Sequence, residues 1–151
     1  MNLDPRHIQI GIEASDWQEA IELACEPLIL DNFVNNLYVK DVIDRELIWP
    51  TGLPVKPIAV AIPHAESRVN IKESTIAAAV LKEKVKFREA GGDIDDYVDV
   101  KIVFILAIKD STHQLEVLRR LMNAFSNGET LKALISARNS YEFAELFNAA
   151  R

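Results

Sequence analysis

The chain is poor in cysteine, in glycine and in basic charge. Its 151 residues hold one cysteine, Cys25. A lone thiol cannot close an internal disulfide, so no disulfide scaffold is expected and a reducing, cytoplasmic setting fits. Cys25 falls in an apolar helical pattern and reads as a small buried side chain rather than a nucleophile. The 3 histidines and the cysteine show no metal-ligand spacing, so no metal site is expected. Lys and Arg number 17 against 23 Asp and Glu, for a formal net charge of −6. Such a balance repels phosphate backbones and anionic membranes, which argues against nucleic-acid binding as the main role while leaving room for a local anion site. No apolar run approaches the ~18 residues of a membrane span, and Met1–Pro5 has no signal-peptide pattern. With no cofactor motif and no paired carboxylates, neither a cofactor nor general acid–base work by two carboxylates is predicted.

What is present is an ordinary globular balance, 49% apolar and 26% charged. That length is most simply one domain, residues 1–151. Ile8 to Ile12 reads as an edge strand. Ser15 with Gln18 resembles a capping box, and Trp17, Ala20, Ile21, Ala24 and Leu28 follow at helical spacing, with Pro27 ending or bending that helix. A second helix is expected from Asn36 to Leu47, with Val39, Val42, Ile43 and Leu47 on one side. Pro50 to Pro57 is the densest turn region.

Ile58 to Ile62 is continuously apolar and reads as a strand buried on both faces. Pro63 lacks an N–H for a sheet ladder, so the strand stops there and His64 stands at its exit. Thr75 to Leu81 is a further strand, and Lys82 to Tyr97 reads as mostly exposed loop. Val100 to Ile108 is the strongest strand and reads as central. Ser111 with Gln114 offers a second capping box. Leu115, Leu118, Met122 and Phe125 mark its helix, which Asn127-Gly128 stops. Helices near Thr130 to Ala137 and Ser140 to Ala149 finish the chain. Strands buried on both faces need helices on both sides, which predicts a three-layer α/β/α sandwich.

Three residues stand out as candidates for chemistry. His64 leaves a buried strand at its carboxyl end, where α/β folds often place ligand and catalytic groups, and imidazole is well suited to act as base or nucleophile near neutral pH. An ordinary solvated loop histidine satisfies the same pattern. His113 falls in the first turn of its helix if Ser111 caps it, beside free backbone N–H groups that suit a phosphate or carboxylate. Arg45, in Asp44-Arg45-Glu46, could hold a phosphoryl group in its fork, although charged triplets at helix ends are usually surface. Glu66, Ser67 and Arg68 follow His64 and either orient it or are simply solvated. His7 has no context. Trp17 and Trp49 read as packing residues.

Arg45-Glu46, Pro50-Thr51-Gly52-Leu53, Ala59-Val60-Ala61-Ile62-Pro63-His64, Val103-Phe104-Ile105-Leu106-Ala107 and His113-Gln114-Leu115 occur in an order that resembles the enzyme IIA domains of the bacterial sugar phosphotransferase system. The resemblance is to the fructose–mannitol class (type 2), covers nearly the whole chain, and is most like the galactitol-type branch. Ala65 stands where many relatives have glycine, and Arg45 precedes His64 by a longer loop than in mannitol-type domains. The resemblance implies the family's α/β/α sandwich with a mixed sheet. It also implies a metal-free phosphocarrier in which His64 takes a phosphoryl group from phospho-HPr. His64 would pass it to a cysteine of enzyme IIB, while enzyme IIC carries the sugar through the membrane. His113 and Arg45 map to the family's second histidine and its arginine. The alternative is a nitrogen-type regulatory enzyme IIA, which shares fold and histidine and acts by phosphorylation-dependent protein binding.

Overall fold

The computed structural model, which describes residues 1–150, buries the long apolar runs on both sides of a sheet. After a 3-10 turn at Pro5–His7 come β1 (Ile8–Ile12), α1 (Trp17–Leu30), α2 (Leu37–Ile48), β2 (Gly52–Leu53), β3 (Ala59–Ala61), β4 (Thr75–Arg88) and β5 (Tyr97–Ala107). The chain closes with α3 (Ser111–Phe125), α4 (Gly128–Ile135) and α5 (Ser140–Ala149). Among the described residues the strands form one mixed sheet of order β1-β4-β5-β3-β2. β1 runs parallel to β4 and β3 parallel to β5, whereas β4–β5 and β2–β3 are antiparallel.

Two-residue alternation sorts the central strands into two cores. Ile76, Ala78, Val80, Ile102, Phe104 and Leu106 point to the side covered by α3, α4 and α5, where they meet Val117, Leu121, Phe125, Leu134, Phe143 and Phe147. Ala77, Ala79, Leu81, Val103, Ile105 and Ala107 point to the opposite side, against Ala20, Ile21, Ala24, Cys25 and Leu28 of α1 and Tyr38 and Val42 of α2. Small alanines on the α1 face let that helix approach the sheet. On the other face Phe104 is ringed by Phe125, Phe147 and Phe143 at centroid distances of 5.4, 5.9 and 6.2 Å. The expected α/β/α sandwich with a mixed sheet is what the chain adopts.

Several local expectations need correction. The first helix is capped by Asp16, whose side chain accepts the Glu19 N–H at 2.8 Å, not by Ser15. α3 is likewise capped by Asp110, one residue before Ser111. Pro27 does not end α1, which continues to Leu30. Asn127 caps α4 through the N–H groups of Glu129 and Thr130, so Asn127-Gly128 starts a helix as well as following one. Lys82 to Arg88 is strand, not loop: Val85 and Phe87 are buried while Lys84 and Lys86 face solvent. Leu47, Leu115 and Met122 lie exposed, and the buried faces are Tyr38, Val42 and Glu46 on α2 and Val117, Leu121, Ala124 and Phe125 on α3.

Gly52 is the one glycine whose side-chain position is filled by backbone. A Cβ there would stand 2.6 Å from the Arg88 carbonyl oxygen, so β2 reaches the end of β4 only with hydrogen at that point. This close approach carries the chain from α2 back beside β3, and with it Thr51 comes to the site edge.

Candidate functional site

Because β3 and β5 are parallel, their carboxyl ends open at the same sheet edge. This is where α/β folds collect ligand-binding groups. β3 ends at Ala61 and the chain leaves through Ile62-Pro63-His64. Two bonds fix that exit. The Leu106 N–H donates to the Pro63 carbonyl at 3.1 Å, and the Ile62 N–H donates to Thr51 Oγ1 at 3.2 Å. The Tyr38 hydroxyl in turn donates to the Leu106 carbonyl at 3.1 Å, which ties α2 to the same point of β5.

His64 is 8% exposed, and its Nδ1 lies 2.8 Å from the Ile62 carbonyl oxygen. A carbonyl oxygen can only accept, so Nδ1 carries the ring proton and donates it there. The Nε2 lone pair is then left for chemistry. Burial pushes the His64 pKa below its ordinary 6.5, the Ile62 bond works against that shift, and the charges of Arg45 and Arg68 reinforce it. A neutral imidazole with an oriented lone pair, within the field of two guanidinium groups, suits attack on an anionic electrophile.

Arg45 comes from the last turn of α2, an end that favours a cation. Its Nη1 donates to the Trp49 carbonyl at 3.3 Å and its Nε lies 3.7 Å from Glu66 Oε2. A groove of about 410 Å³ runs between this helix end and the loop after His64, with Arg45, Ile48, Trp49, Glu66 and Ser67 in its walls. Trp49 is 61% exposed, so it is surface beside the groove and not the packing residue its composition suggested. Arg68 is half-buried and its Nη2 donates to Gln114 Oε1 at 3.1 Å. That bond ties the His64 loop to the first turn of α3.

His113 is the third residue of α3. Its N–H donates to Asp110 Oδ1 at 2.8 Å and its Nδ1 stands 3.3 Å from Asp110 Oδ2. The backbone bond from His113 is the main reason the Asp110 carboxyl is held below its usual range. The His113 side chain is half-exposed, and its neighbour Gln114 accepts the hydrogen bond from Arg68 that joins this helix turn to the His64 loop.

The fold thus collects His64, Arg45 and Arg68 closely, and brings the first turn of α3 up to them. Sequence reasoning passed over the Asp110 cap, legible as an Asx cap in Asp110-Ser111-Thr112-His113, and the buried pair Glu46–Thr51. His7, which the sequence left without context, is fully buried, with Nδ1 2.7 Å from Thr75 Oγ1, Nε2 2.7 Å from Asp31 Oδ2 and Phe33 edge-on to its ring. It locks the start of β1 to β4 and to the end of α1.

Known proteins place this architecture. The galactitol-specific EIIA component of the phosphotransferase system of Escherichia coli K12 is 29% identical over 129 residues, covering 85% of this chain and 84% of that protein. The ascorbate-specific EIIA component of the same strain is 24% identical over 143 residues, covering 95% of this chain and 90% of that protein. The solved complex of enzyme IIAMTL with phosphorylated enzyme IIBMTL, also from Escherichia coli, superposes with a TM-score of 0.79 at 26% identity and covers 97% of this chain and 96% of that one. The family described as phosphoenolpyruvate-dependent sugar phosphotransferase system, EIIA 2, matches residues 1–150. The chain, with its buried histidine at the exit of β3, belongs to that EIIA 2 family of the sugar phosphotransferase system.

Proposed function

We propose that the chain is a cytoplasmic, single-domain phosphocarrier that accepts a phosphoryl group from phospho-HPr on His64 Nε2 and hands it to the cysteine of an enzyme IIB. The observation that carries this reading is the His64 Nδ1–H bond to the Ile62 carbonyl, which leaves Nε2 as the free nucleophile. In the accepting step a bond forms from Nε2 to phosphorus as the donor's N–P bond breaks. In the return step the IIB thiolate attacks phosphorus and Nε2 leaves. Phosphoryl transfer passes through a loose transition state, so the protein's work is to position the nucleophile and hold the peripheral oxygens.

The charges favour transfer in both directions. Arg45 and Arg68 offer guanidinium groups to phosphoryl oxygens, and the N-terminal turn of α3 with His113 can complete the cradle. The ring gains positive character on phosphorylation. The Ile62 carbonyl helps hold that charge, whereas burial and the two arginines oppose it. The phosphoryl group is thereby kept labile enough to pass on. Similarity to the galactitol-specific component supports galactitol as the sugar, which an enzyme IIC would move through the membrane.

The test is incubation with phosphoenolpyruvate, enzyme I and HPr, followed by candidate IIB proteins. The expected result is an acid-labile phosphohistidine that disappears on addition of the cognate IIB and never forms in His64→Ala. His113→Ala should still be phosphorylated but transfer on the order of tenfold to a hundredfold more slowly, since it loses charge stabilisation and keeps the nucleophile. Labelling that persists in His64→Ala overturns the site. Labelling that no IIB discharges instead fits a phosphorylation-dependent regulator.

A further inference from the structure

Behind His64 lies a buried carboxylate that the phosphoryl chemistry does not touch. Glu46 is only 5% exposed, and Thr51 occupies both of its oxygens: the Thr51 N–H donates to Oε2 and the Thr51 hydroxyl donates to Oε1, each at 2.8 Å. A carboxylate only accepts, so the hydroxyl hydrogen is committed to Glu46. The lone pair of Thr51 Oγ1 is thereby turned to accept the Ile62 N–H at 3.2 Å. Ile62 is the residue whose carbonyl accepts the His64 Nδ1–H at 2.8 Å. Every donor from the imidazole inward has one direction left, and the series ends on an anion.

We propose that Glu46 and Thr51 are positioning residues for His64: by holding Ile62 at the end of β3 they aim its carbonyl at Nδ1 and so keep the ring in the tautomer whose Nε2 is free. The proposal rests on His64 being the nucleophile and adds the residues that orient it.

The same side chains could be read as a simple tie between the end of α2 and β3. Two features speak for more. Burying a carboxylate is costly, and a well-packed apolar pair would tie two elements as firmly at no such cost. Burial also raises the Glu46 pKa, and the two Thr51 bonds are the main counterweight, ahead of the charges of Arg45 and Arg88. Second, Ile62 lies beyond the last residue of β3, so its N–H is oriented by a side chain and not by a ladder partner. A one-residue shift in that carbonyl would release the ring to either tautomer.

The decisive measurement is the imidazole ¹⁵N spectrum of His64 in the unphosphorylated protein, assigned by comparison with His64→Ala. The wild type should show a protonated Nδ1 and a bare Nε2. Thr51→Val, nearly isosteric but without the hydroxyl, should shift His64 toward the mixed tautomers of free imidazole. It should also slow phosphoryl acceptance on the order of tenfold, as misaligned nucleophiles do. Thr51→Ser should restore both readouts. Glu46→Gln keeps the volume and should give an intermediate loss, because an amide presents its NH2 to one of the two Thr51 donors. A wild-type tautomer in Thr51→Val, or equal losses in Thr51→Val and Thr51→Ser, overturns the proposal. If Thr51→Val fails to fold, Glu46→Gln and Thr51→Ser decide on the same spectrum. The spectrum needs no phosphoryl donor, so a failure of the carrier reading would appear separately, as an intact tautomer preference in a protein that HPr does not phosphorylate.

Discussion

At the scale of single residues, His64 is defined by one hydrogen bond and by burial. The bond to Ile62 selects the tautomer, and burial disfavours charge on the ring. Together they predict an unusual titration. The folded-state pKa lies below the unfolded value of 6.5, so protonation is disfavoured in the native protein. The stability this group contributes is present above 6.5 and is lost as pH falls through the lowered folded value. More of the His64 ring therefore stays neutral at pH 6.5 than of an unperturbed histidine, half of which would be charged there. An NMR titration of the His64 ring should give a midpoint clearly under that value, and a midpoint at or above it would contradict the burial argument. His64, Arg45 and His113 were legible as candidates because each adjoins a recognisable element end. Arg68 was legible only as a neighbour of His64, since its bond to Gln114 spans 46 residues of sequence. Glu46 and Thr51 were legible only as members of the motifs Arg45-Glu46 and Pro50-Thr51-Gly52-Leu53; their burial and their contact were not, because a buried carboxylate is written with the same letters as a solvated one.

At the scale of elements, capping chemistry set the helix starts more sharply than apolar spacing set their faces. Asp16, Asp110, Asn127 and Asn139 each accept from backbone N–H groups two or three residues on. Asn127 serves Glu129 and Thr130 together. Asn127→Ala should cost about 1 kcal/mol of stability in urea unfolding and leave the rate of phosphoryl acceptance unchanged. A loss of acceptance with intact stability would mean that α4 has a role in the site. The faces of α2 and α3 were harder to read, since each helix has more apolar positions than it buries. Leu115, Met122, Leu47, Ile48 and Trp49 remain exposed after the sheet has taken its share. The extension of β4 past Leu81 was hidden by charge. Lys82, Glu83 and Lys84 look like loop, but a two-stranded ribbon with β5 needs only one buried face there, supplied by Val85 and Phe87.

At the scale of the whole molecule, the sheet separates two unlike cores and holds the site at their common edge. The α3–α5 side is centred on Phe104 and its ring of phenyl groups, and the α1–α2 side is built mainly from alanine and β-branched residues around Tyr38 and Phe87. Phe104 is fully buried on the central strand. Phe104→Ala should cost about 3–5 kcal/mol, because the surrounding phenyl rings cannot close the cavity completely. Guanidinium unfolding would measure it, and a cost under about 1 kcal/mol would mean that this core repacks freely. The molecule bears a formal net charge of −6, yet Arg45 and Arg68 both stand close enough to His64 to disfavour its protonation. An acidic protein can thus place positive charge beside one buried histidine, because placement and not net charge sets the local field.

The amino-acid sequence by itself determined what depends on local order. Apolar runs and their periods chose strands and helices, Pro63 released the chain beside His64, and the succession of motifs identified the family. Tertiary structure alone decided what depends on meeting across the chain. It chose which helix faces are buried, how Gly52 brings Thr51 to the end of β3, and how Arg68 joins the first turn of α3. It also decided which nitrogen of His64 is free. A ring's tautomer follows from the acceptor it meets in space, and the carbonyl two residues back meets it only after Ile62 has been fixed by side chains from α2 and its following turn.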